Sequence, residues 1–143
     1  MASCTFFGHH DCPASVKPKL YAALVELIEL HSVDMFYVGH NGAFDRMVHS
    51  LLRELAQQYP HIRYAVVLAR LPGAKSEEDL SDTIFPEGLE LVPPRFAVDR
   101  RNRWMLNRAD HVLCYVTHSW GGAAKFAELA VRQKKTVINL AEK

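Results

Sequence analysis

Two rhythms of apolar residues alternate along the chain. Leu20, Leu24, Leu27 and Ile28 recur at the spacing of a one-faced helix within residues 17–31, with Ser15 as its N-cap and Pro18 in the first turn. Phe44, Met47, Val48, Leu51, Leu52 and Leu55 form a second stripe, opened by Asn41-Gly42 and ended by Pro60. Between the stripes lie short unbroken runs: residues 3–7 ending at Gly8, Met35 to Val38 ending at Gly39, and Tyr64 to Leu68. His111 to Val116 and Thr136 to Leu140 are two more. Residues 3–7 are β-prone, and the continuous apolar run Met35 to Val38 has the look of a strand covered on both faces. Residues 72–94 read as loop, with the acidic patch Glu77-Glu78-Asp79 and a short strand at Thr83-Ile84-Phe85. Helical spacing resumes near Phe96, and a last helix starts at Gly122. Strands alternating with helices predict a three-layer α/β domain over residues 1–143, a Rossmann-like parallel sheet with helices on both faces.

Ligands of such sheets bind beyond the carboxyl ends of the strands. Small and polar residues gather there in this sequence. Gly8-His9 follows the first strand, and Gly39 with Asn41-Gly42 and Asp45 follows the second. Arg70 follows the third, and His118-Ser119-Trp120-Gly121-Gly122 follows the strand at 111–116. Any one glycine is explained by a tight turn; three such sites on one edge favour a phosphate-bearing ligand held by backbone N–H groups.

The segment 95–108 carries five arginines. Val98, Arg101, Met105 and Ala109 share one helical stripe, which turns Arg101 toward the sheet and leaves Arg100, Arg103 and Arg108 in water. A guanidinium facing a core needs partners, either a loop carboxylate or a ligand. Glu128 borders the apolar arc of its own helix, and Arg132 stands four residues on, so spacing alone makes it half of a surface ion pair.

Composition narrows the partners. The net charge of +1 over 143 residues suggests no direct nucleic-acid contact. No apolar run is long enough to cross a bilayer, and no secretory leader is evident, so neither membrane nor export is expected. Three cysteines without CxxC spacing fit a reducing cytoplasm.

The run Arg101-Asn102-Arg103-Trp104-Met105, then Ala109-Asp110, a strand, and Gly121-Gly122 followed by Glu128, resembles the lysine-decarboxylase-like LOG phosphoribohydrolases. Those enzymes belong to the SMF/DprA–LOG (SLOG) superfamily of Rossmann-like nucleotide-binding domains. With an early Gly-His after the first strand, the whole chain looks most like its small YpsA-type members. The resemblance implies that the glycine turn holds a phosphate. It also implies that Arg101 orients a nucleoside monophosphate, and that Glu128 stabilises or attacks a developing ribosyl cation. Ser119-Trp120 stands where the family has proline, Asn102 where it has lysine, and Ala124-Lys125 where it has Gly-Thr. These departures bear on catalysis more than on binding.

Other constellations point less far. His9, His10, Cys12 and His118 have imidazole and thiolate groups but no metal-site spacing, so no metal and no cofactor is expected. Ser119 lacks the first glycine of a nucleophile elbow. Trp120 either stacks on a base or anchors in the core. The expected function is binding of a nucleotide or nucleoside phosphate, as a sensor. An N-glycosidase using Arg101 and Glu128, or a protein-interaction scaffold with a vestigial pocket, are the alternatives, and the long apolar stripes also allow a homodimer.

Overall fold

The computed structural model describes residues 2–71 and 81–141. In chain order they form β1 (Ala2–Gly8), α1 (Lys17–Leu30), β2 (Val33–Val38), α2 (Gly42–Gln58), β3 (Arg63–Val67) and β4 (Thr83–Ile84). Then come α3 (Pro94–Arg108), β5 (His111–Tyr115), α4 (Gly122–Arg132) and β6 (Thr136–Asn139). One six-stranded sheet runs in the order β4-β3-β2-β1-β5-β6, with every pairing parallel. The predicted α/β class and its element order agree with this architecture. The acidic patch at 77–79 lies outside the described residues.

The two faces have separate cores, and the apolar stripes explain the division. Leu20, Leu24, Leu27 and Ile28 of α1 pack with Phe44, Val48, Leu51, Leu52 and Leu55 of α2 against Phe6, Phe36 and Val66 of the sheet. On the other face Met105 and Leu106 of α3 and Phe126 and Ala130 of α4 cover Phe7, Val67, Val112 and Cys114. Phe6 and Phe7 thus point to opposite faces, as neighbours on a strand must. Each fully buried leucine or phenylalanine contributes about 1.5–3 kcal/mol by leaving water. Thr5 is also fully buried and spends its hydroxyl on Tyr37 O at 2.8 Å.

Several ends differ from the sequence reading, each for a local reason. Ser15 does not cap α1; it lies in a 3-10 turn, Ala14–Val16, that runs directly into the helix. Helix α3 begins at Pro94, because proline suits a first turn whose N–H has no partner to lose. Strand β5 stops at Tyr115, before Val116. The side chain of Asn139 takes over both backbone groups of Val116, accepting its N–H at 3.1 Å and donating to its C=O at 3.0 Å.

Candidate functional site

Strand order reverses between β1 and β5. From β1 the chain leaves toward α1 and α2 on one face, whereas β5 is flanked by α3 and α4 on the other. The two strands are in register at Gly8 and Tyr115, so their ends stand side by side while the following segments part. A cleft of about 670 Å³ opens at that point. Gly8 to Asp11 line it after β1, and Asn41 and Asp45 at the start of α2. Val98, Arg101, Asn102 and Met105 of α3 form one wall, and Thr117, His118 and Trp120 to Ala123 form another.

Arg101 is the central side chain. It is only 2% exposed, and three of its five N–H donors meet acceptors on β3, on α3 itself and just before α2. Nη1 donates to Val67 O at 3.0 Å, Nη2 to Asn41 Oδ1 at 2.7 Å, and Nε to Asn102 Oδ1 at 2.9 Å. The helical stripe predicted this inward turn. Val98, on the same stripe, is 39% exposed at the cleft mouth.

Asp45 lies close by, buried on the first turns of α2. Its carboxylate accepts the N–H of Asn41 at 3.0 Å. Burial pushes its pKa up to about 6, against the pull of that N–H and of the Arg101 charge. Burial also lowers the Arg101 pKa, while Asp45 opposes it. For both groups desolvation outweighs attraction, as expected where two charges are buried without a direct ion pair. Gly39 makes this arrangement sterically feasible. A methyl there would stand 2.9 Å from Asp45 Oδ2 and 3.0 Å from Arg101 Cζ. Gly8 is just as confined, because a Cβ would meet Phe44 Cδ2 at 2.2 Å.

The opposite wall carries three stacked rings. His9 lies on His118 at 3.7 Å between centroids and 14° between planes, and His118 lies on Trp120 at 3.7 Å and 16°. The N–H of Thr117 donates to His9 Nε2 at 2.9 Å, which places the proton of neutral His9 on Nδ1. His118 Nδ1 donates to Trp120 O at 3.0 Å. Burial, and then the neighbouring His118, lower the His9 pKa.

Of the residues expected at the site, Gly8, His9, Asn41, Asp45, Arg101, Asn102, His118, Gly121 and Gly122 line one cleft. Gly39 and Gly42 stand directly behind it, against Arg101 and His10 respectively. Ser119 is exposed on the loop without lining the cleft. Arg70 is exposed and lines a separate groove with Phe85, Leu89 and Ala97. Glu128 is not brought to Arg101. It lies about 9 Å along α4 from Gly122, at 1.5 Å per residue, exposed and paired with Arg132. Bare helical spacing placed it correctly. Asp11 and Thr117 line the cleft without a motif to mark them; nearness to a strand end is the signal that finds them.

The fold and cleft define a doubly wound, Rossmann-like α/β domain with its opening at the switch point. Two solved structures share this fold. DNA processing protein A (DprA) from Streptococcus pneumoniae superposes with a TM-score of 0.69 at 15% identity, over 95% of this chain and 49% of that one. DprA from Helicobacter pylori, whose structure is described for its single-stranded DNA binding mode, gives 0.62 at 14% identity, over 95% and 63%. The chain therefore spans about half to two thirds of the length of these neighbours. At such identity the likeness is one of fold. No protein-family model and no curated protein matches the sequence.

The expectation of no direct nucleic-acid partner is corrected by the neighbours, one of which is described for its single-stranded DNA binding mode. That expectation came from net charge, which averages over the whole surface. Binding a phosphate chain requires only local cations, and Arg95, Arg100, Arg103 and Arg108 are all exposed on α3. Among the described residues no helix is long and apolar enough to cross a membrane.

Proposed function

We propose that the cleft binds a phosphate-bearing nucleotide unit. The observation that carries this reading is Arg101, a guanidinium buried at a cleft and fixed there by three hydrogen bonds. Such a group supplies positive potential to an anion without paying again to be ordered. Two helices, α2 and α4, begin at the same opening, and their N-terminal N–H groups favour negative charge. Sequence resemblance and structural neighbours meet at the SLOG superfamily, which supports a nucleotide rather than another anion. A reducing, cytoplasmic setting goes with this reading, since the three cysteines of the sequence carry no CxxC spacing.

A second form of the reading is that the nucleotide is a unit of a single strand. The neighbour described for its single-stranded DNA binding favours it. An N-glycosidase using Glu128 gains no support from an exposed carboxylate paired with Arg132.

Thermal unfolding with nucleoside monophosphates and with an oligodeoxynucleotide tests both forms. Ligand at roughly 100 times its dissociation constant should stabilise the fold by about 2.7 kcal/mol. A strand, unlike a free nucleotide, should lose affinity steeply with salt, by roughly 0.7 in log–log slope for each phosphate neutralised. Absence of any shift with every nucleotide and strand would falsify the proposal.

A further inference from the structure

The ring pile on the cleft wall stops abruptly. Its inner end is secured to the sheet: His9 donates its backbone N–H to Tyr115 O at 3.2 Å and meets the Tyr115 ring edge-on. Its middle ring, His118, has both faces covered, by His9 and by Trp120. Trp120 has one face on His118, yet the residue is 69% exposed. That exposure must belong to the edges and the outer face of the indole. Tryptophan is among the more buried residues on average, so a large indole left mostly in water at a cleft is unusual. This one is also held in place, because His118 clasps the Trp120 carbonyl.

We propose that the outer face of Trp120 is a stacking platform for the base of the cleft's ligand, continuing the pile His9–His118–Trp120 by one ring. The proposal rests on the nucleotide reading above and specifies how the base is recognised. Any base has a π-face, so a platform of this kind accepts purines and pyrimidines alike; the ligand class is nucleotides irrespective of base. The sugar and phosphate are then left to the cleft that Trp120 also lines, next to Gly121 and Gly122. The pile exists before any ligand arrives, so little ordering is required of the protein on binding.

Calorimetric titration separates the base from the phosphate. Adenosine 5′-monophosphate is compared with ribose 5-phosphate, and an oligodeoxythymidylate with an abasic strand of equal length. In the wild type the base-bearing member of a pair should bind roughly 5- to 100-fold more tightly. Trp120→Ala should abolish that preference, and Trp120→Phe, which keeps an aromatic face, should retain most of it. Trp120 lies outside both cores, so the alanine variant should fold normally. Equal binding of base-bearing and base-less ligands by the wild type, or a full preference surviving in Trp120→Ala, overturns the platform while leaving a phosphate site standing. If the wild type binds none of the four, the nucleotide reading falls and the platform with it.

Discussion

Asp45→Asn removes a carboxylate that the fold holds close to pH 6 rather than at its ordinary value of 3.8. At about 1.4 kcal/mol per pH unit, keeping this group charged in the folded protein costs on the order of 3 kcal/mol. Between those two values the folded state binds more protons than the unfolded chain. Stability therefore falls as pH rises through that window, and the cost is fully present above pH 6. Denaturant unfolding of both proteins from pH 4 to pH 7 measures it. The constant effect of the substitution, including any change in the bond from Asn41 or in the field at Arg101, cancels when the difference is followed against pH. The wild type should lose about 2–3 kcal/mol relative to Asp45→Asn across the window. A flat difference, or a wild type that gains with rising pH, would refute the reasoning. Either result would mean that Arg101 holds Asp45 ionised throughout.

Further predictions concern close approaches and the outlying glutamate. Gly39→Ala should destabilise the protein by about 1–3 kcal/mol, because both Asp45 and Arg101 are too buried to retreat from the added methyl; chemical denaturation reads the loss, and an unchanged midpoint would contradict the packing. Gly8→Ala should cost at least about 3 kcal/mol, since its Cβ would overlap the fully buried Phe44 side chain; soluble protein with wild-type melting behaviour is the adverse result. Glu128→Gln should leave nucleotide and strand affinity unchanged and alter stability by no more than about 0.5 kcal/mol, as for an exposed i,i+4 pair. A large loss of binding in that variant would bring Glu128 back to the site.

Period was the most readable property of this chain. The stripes of α1 and α2 and the unbroken runs of β1, β2, β3 and β5 are one-dimensional signals of burial, and they yielded the layers without any knowledge of strand order. Arg101 was legible for the same reason, as a polar residue on an apolar stripe. Strand order was not readable, and what depends on it stayed hidden. The pile of His9 on His118 joins residues 109 positions apart and exists only because β1 and β5 are neighbours. Asp45 appeared as a polar residue near a strand end, but its raised pKa comes from burial that no local pattern records. Glu128 shows the converse, in that spacing described its surroundings better than family position did. Net charge misled about nucleic acid because a sum over the surface carries no information about where cations lie.

The amide of Asn139 deserves a last consequence. By acting as the final rung beside Val116, it ends β5 just before the loop that carries His118 and Trp120. The shape of the cleft mouth is thus governed partly from an edge strand that never touches it. For anyone reshaping this site, residue 139 is a remote control: Asn139→Val or Asn139→Asp would reset the take-off of the loop while every lining side chain stays as it is.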